Sequence, residues 1–138
     1  PTTSCYIMSN KFLDDNKDTF YLIFRLVIGL LFFLHGAQKF GILNGTFSIP
    51  DSGFLILLAA IIEVVAGILI FWGAFVRKAA VVSGIVMLYA FFVVHAFGNG
   101  FNINPLSNGG ELALVYLVAF LVLAAFGAGK KWSHEKKK

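Results

Sequence analysis

Four stretches of mainly apolar residues, each about long enough to cross a bilayer, constrain this chain more than anything else in it. They run about Thr19–Phe40, about Phe54–Val76, about Ala79–Phe97 and about Gly110–Ala128. A membrane-spanning helix needs about 20 such residues. No proline falls inside any of the four; Pro50 and Pro105 sit in the two longer connections, where a residue lacking an N–H belongs. The expected fold class is all-α, an integral membrane antiparallel four-helix bundle. It divides into a polar N-terminal segment (1–18), the bundle (19–128) and a basic tail (129–138).

Composition agrees. Of 138 residues 59% are hydrophobic and 13% charged, and the mean hydropathy is +0.85. Soluble domains carry about 25% charged residues, and one of this size buries only about two-thirds of its surface. The lipid bilayer is therefore the first partner expected. The net charge of +4 does not mark a nucleic-acid binder, because five of the eleven basic residues crowd into the last nine positions. Cys5 is the single cysteine, which rules out an internal disulfide and any Cys-x-x-Cys metal spacing. Residues 1–18 are too polar and mixed in charge for a signal peptide, so the first apolar stretch is expected to stay as a signal anchor. Pro1 at the start points to a removed initiator Met or an earlier start.

Orientation follows from the basic residues. Lys11 and Lys17 precede the first span, Arg77-Lys78 join the second to the third, and five lysines follow the fourth. The links Gly41–Gly53 and Gly98–Gly109 contain no Lys or Arg. Both termini and the short turn are expected in the cytoplasm of a multi-pass cell-membrane protein. The first outer link is half apolar and suits the interface; the second, rich in Gly and Asn, reads as a turn-forming loop. Asn44-Gly45-Thr46 matches the N-glycosylation pattern, a match that chance readily produces in such a turn.

Ionisable residues inside spans cost about 2.5–3.5 kcal/mol on insertion scales and normally turn inward towards partners. Here they are Arg25, His35 and Lys39 on the first span, Glu63 on the second, His95 on the third and Glu111 at the start of the fourth. At 100° per residue Arg25, Gly29, Phe32, Gly36 and Lys39 share one line flanked by His35, while Gln38 points away. Glu63 shares a face with Ala59, Ala66, Gly67 and Ala74, small enough to pack closely on the Gly29/Gly36 stripe. At about 1.5 Å per residue, Arg25 and Glu63 differ by roughly 9 Å in depth, nearly within reach of a guanidinium. These positions predict a polar pocket opening outward, floored by Glu63, with Arg25 below and Lys39, His95 and Glu111 at the mouth.

Each of these residues also has a plainer reading. Arg25 and Glu63 can form an ion pair that only fixes helix register. Lys39 and Glu111 can snorkel to the interface. His35 and His95 could ligate copper or haem from facing helices, but two histidines do not make a metal site, and none is expected. His134 lies in the tail with no role, and Trp72, Tyr89, Tyr116 and Trp132 read as bilayer or interface aromatics. Phe91 and Phe92, beside His95, could line a flat slot for a quinone ring.

The chain resembles the DoxX-like family of small four-span membrane proteins. The resemblance is carried by Arg25-Leu-Val-Ile-Gly-Leu-Leu-Phe-Phe-Leu-His-Gly-Ala-Gln-Lys39, Glu63-Val-Val-Ala-Gly-Ile-Leu-Ile-Phe-Trp-Gly73 and Ala74-Phe-Val-Arg77. It continues in Asn108-Gly-Gly-Glu111 and Gly127-Ala-Gly-Lys130, and so covers about Thr19–Lys130. Arg25, His35, Lys39, Glu63, Arg77 and Glu111 match the family pattern. The family it resembles includes membrane subunits tied to thiosulfate oxidation with a quinone as acceptor, members linked to thiol-oxidant defence, and many with no assigned activity, so the resemblance implies a membrane redox association. Having no cysteine in the membrane, this chain departs from a self-sufficient sulfur enzyme and points to partner subunits.

Two functional expectations follow. In one, a redox subunit uses His35 or Glu63 to move a proton, while Arg25, Lys39, His95 and Glu111 form the ligand pocket. In the other, the polar cluster only fixes the bundle of an accessory subunit in a larger membrane complex. A small transporter or cargo-binding protein is a third reading, without the broken helices or inverted repeats that would favour it.

Overall fold

The computed structural model describes the backbone of residues 2–42, 49–98 and 100–135. Helix α1 spans Thr2–Lys39, α2 Ile49–Trp72, α3 Val76–Tyr89, α4 Pro105–Asn108 and α5 Glu111–Phe126. Helix α3 continues as a π-helix over Ala90–Ala96. Among the described residues no strand forms. The Asn44-Gly45-Thr46 match lies outside the described residues.

Helix α1 begins far ahead of its apolar stretch because nothing stops it: residues 2–28 contain neither Gly nor Pro. Non-helical Gly53 (φ 79°) separates the first turn of α2 from its apolar body. At the far end of α2 the Gly73 N–H bonds the Ile70 carbonyl and the Ala74 N–H that of Leu69. This reverse turn needs a left-handed residue, and Gly73 supplies it at φ 73°. Val76 then starts α3, so the second span ends at Trp72, four residues earlier than its hydropathy suggests.

The most extensive helix contacts pair α1 with α2 and α3 with α5. Both pairs are antiparallel: Gly29 lies against Phe71 and Gly36 against Glu63, while Gly84 faces Leu117 and Gly110 faces Phe91. A Cβ on Gly67 would lie 2.5 Å from the Phe33 nitrogen, and one on Gly29 2.7 Å from that of Phe71. The α1 and α2 backbones therefore touch, as the glycine stripe predicts. The pairs are joined through α2–α3 and through Phe32, whose ring lies 4.7 Å from Phe120 and 5.3 Å from Tyr116.

Polarity runs inside out. Arg25, Glu63 and Ser83 are buried, while Val27, Leu30, Ile61, Val65, Ile85 and Val118 are exposed. Such a surface is at home only in lipid. Among the described residues three helices are long and apolar enough to cross a membrane: Asn10–Lys39, Gly53–Trp72 and Val76–Ala96. Helix α5 is equally apolar but has 16 residues, about 24 Å of helix against about 30 Å of hydrocarbon.

Candidate functional site

Glu63 is 1% exposed and meets the Lys39 ammonium with both carboxylate oxygens, at 2.6 and 2.7 Å. The reason is register. A Cβ on Gly36 would sit 2.8 Å from the Glu63 Cβ, so Glu63 is level with Gly36 and one turn below Lys39. Arg25 is about 16 Å further along the same helix. The expected reach from Arg25 to Glu63 is therefore not made, because depths counted from span ends miss the sliding of one helix along another.

Arg25, fully buried, points to the other end of the bundle. Its Nη1 donates to the Ala128 carbonyl at 2.5 Å and its Nη2 to the Trp132 carbonyl at 2.6 Å. A Cβ at Gly73 would fall 2.5 Å from Nη1, so the glycine that turns α2 also leaves room for the guanidinium. Residues 127–135 thus cross the end of the bundle as a strap. The Tyr21 hydroxyl donates to the Gly127 carbonyl, and the His134 N–H to that of Gly73. The Glu135 carboxylate accepts the Val76 N–H, capping α3 from 59 positions away. Trp132 packs edge-on against Trp72 and Phe71. The basic tail is, through Glu135, also a structural element, to which Trp132 contributes its ring.

At the opposite end a cavity of about 300 Å³ opens among α1, α2, α3 with its π extension, and α5. His35, Lys39, Glu63 and His95 line it, with Tyr89, Tyr116 and aliphatic side chains completing the wall. Four of the six sequence-selected residues therefore meet. Arg25 does not line it, and neither does Glu111, which is exposed in the first turn of α5, where negative charge favours a helix start. Phe91 and Phe92 are also absent from the lining: Phe91 packs under Gly110, and Phe92 is exposed. The aromatic lining comes instead from Tyr89 and buried Tyr116, the latter stacked 5.8 Å from Phe120. Spacing on α5 could have revealed Tyr116, since Ala113, Tyr116 and Phe120 follow one inward face.

His95 is positioned by a loop and by the π-helix that carries it. Asn102, Asn104 and Asn108 knit residues 102–110 together through side-chain hydrogen bonds. The loop brings the Asn108 carbonyl to 3.2 Å from His95 Nδ1. A carbonyl can only accept, so Nδ1 carries the proton and a neutral ring keeps Nε2 as acceptor. Extra residues in a helical turn often mark sites where a side chain has been re-aimed. Among the described residues no three His, Cys, Asp or Glu side chains gather as a metal set.

An apolar chamber with a few converging polar groups is the usual form of a small-molecule site, here within a membrane protein. The DoxX family model matches residues 20–96, and the chain belongs to that family. It is 37% identical over 122 residues to an "Uncharacterized protein" of Haemophilus influenzae (strain ATCC 51907 / DSM 11121 / KW20 / Rd), covering 85% of this chain and 90% of that one. It is also 32% identical over 111 residues to the Bacillus subtilis (strain 168) protein named "Putative oxidoreductase CatD", covering 78% of each. No solved structure matches it.

Proposed function

We propose that this chain is a multi-pass subunit of a cell-membrane redox system, with a quinone head as the ligand of the Lys39–Glu63–His95 cavity. The observation that carries the reading is the placing of an ion pair and two histidines in a chamber otherwise walled by apolar and aromatic side chains. The oxidoreductase named in Bacillus subtilis lends it support by analogy. The chamber, about 300 Å³ with Tyr89 and Tyr116 in its lining, has room for such a ring, which when bound supplies a two-electron, two-proton acceptor. Lys39 donates a hydrogen bond to a head oxygen, His95 Nε2, an acceptor, receives one from the opposite hydroxyl of the reduced head, and Glu63 or His35 passes the proton. Electrons come from a partner subunit that oxidises thiosulfate or a thiol, since no cysteine lies in this chain's membrane part.

In this reading α5 is the fourth span and both termini are cytoplasmic. Lys130–Asp18 and Lys131–Thr19 contacts gather basic residues at the strap end, in keeping with that orientation.

The test is equilibrium binding of short-chain ubiquinone to the purified protein in lipid nanodiscs, with native electrophoresis of gently solubilised membranes. Saturable binding weakened about tenfold by Glu63→Gln is the expected result. No saturable binding would remove the quinone. The ion pair's mutual saturation favours a second reading, an accessory subunit in which Lys39–Glu63 only fixes register. In that case Glu63→Gln alters assembly with partners and not ligand affinity.

A further inference from the structure

We infer that the cavity is loaded sideways, from within the bilayer, through a groove between α2 and α3 that holds the apolar chain of the ligand. The inference rests on the quinone reading and adds a route and a second half to the site. The groove measures about 270 Å³ and is entirely apolar except for the Tyr89 hydroxyl. Leu55, Ala59, Val86 and Tyr89 line both groove and cavity, so the two spaces share one wall. Ala59, a single methyl group, stands one turn from Glu63 on α2.

Away from that wall the groove is bounded by Leu58, Ile62, Val82 and Ile85, of which Leu58, Val82 and Ile85 are exposed on the lipid-facing surface. From Leu55 to Ile62 it follows the helices for about two turns, or roughly 10 Å. An alkyl chain lying along a bilayer has the same direction. The polarity therefore changes from a charged, hydrogen-bonding end at Lys39 and Glu63 to an apolar end open to lipid. One molecule matches both: a quinone bearing a long hydrocarbon chain, head in the cavity and chain in the groove. A tailless head would leave the groove to lipid.

The test compares two probes in nanodiscs, a decyl-tailed quinone carrying a diazirine on its chain and the tailless parent quinone. Photolabelling followed by peptide mass spectrometry is expected to mark Leu58, Ile62, Val82 or Ile85. Val82→Trp and Ile85→Trp fill the groove from exposed positions that do not line the cavity, so folding is retained; unchanged melting and size-exclusion profiles verify it. These variants should weaken the tailed probe about tenfold and the tailless one less than about twofold. Labels scattered over other lipid-facing residues, or variants without effect on the tailed probe, overturn sideways loading while tailless binding keeps the quinone reading. Labelling of the groove by a diazirine phospholipid that excess quinone does not displace makes it a lipid site and overturns the inference. If neither quinone binds saturably, the functional reading fails first and the inference with it.

Discussion

Lys39 meets a carboxylate and Arg25 meets two carbonyls, so their removal should be felt differently. Lys39→Met strands the Glu63 charge in the interior, a loss typically of about 3 kcal/mol or more for a buried pair. It should appear as a clear fall in melting temperature. The double variant Lys39→Met/Glu63→Leu removes both charges and should recover most of that stability without recovering ligand binding, which separates packing from chemistry. Arg25→Leu instead releases the strap. Limited trypsinolysis after Lys130 and Lys131 should quicken markedly, while the His35–His95 end keeps its ligand affinity. The sequence exposed the charged residues and the face they share, and for Lys39, Glu63, His35 and His95 also their common location. It could not show Arg25's partners. Backbone carbonyls look the same whatever side chain they carry, so Ala128 and Trp132 leave no trace in the sequence as acceptors.

Helix pairing tells a complementary story. The packing of α1 on α2 through Gly29, Gly36 and Gly67 was legible from the spacing of small residues, which let two backbones approach closely. Gly67→Leu, whose Cβ alone would fall 2.5 Å from the Phe33 nitrogen, should force the helices apart. A cost of about 1–3 kcal/mol or more is expected from such overpacking, read as a lower melting temperature with loss of the compact monomer on size exclusion. The π segment was not legible, because its apolar pattern scores equally well as α-helix and only the backbone reveals the wider turn. Deleting Val94 should return Ala90–Ala96 to α-helical geometry and swing His95 away from the Asn108 carbonyl. The expected result is retained helicity by circular dichroism and a loss of quinone binding at least as large as that of His95→Ala.

For the whole molecule, the apolar exterior was evident from composition, because 59% hydrophobic residues are more than a domain of this size can bury. The buried charges of Arg25 and Glu63 were legible only from their positions inside spans. What composition could not deliver was the closing of one end by the chain's own last residues. Topology is open to direct measurement in cells with Cys5→Ser as background. Cysteines at Asn10 and Ser133 should resist a membrane-impermeant maleimide and one at Ser107 should react, as four spans with both termini inside require. Labelling of Ser107 and Ser133 from the same side would mean that α5 does not cross.

The strap also imposes an order on the making of the protein. Arg25 leaves the ribosome about a hundred residues before the carbonyls that satisfy it, so a growing chain must hold that cation in the membrane without its final partners. The bundle can close at this end only when translation has passed Glu135, whose carboxylate caps α3. Chains cut before Ala128 should therefore be recognised and degraded as unfinished, although all four apolar stretches are nearly complete in them. A reporter fused beyond Glu135 should be tolerated, whereas one inserted between Gly127 and Trp132 should not.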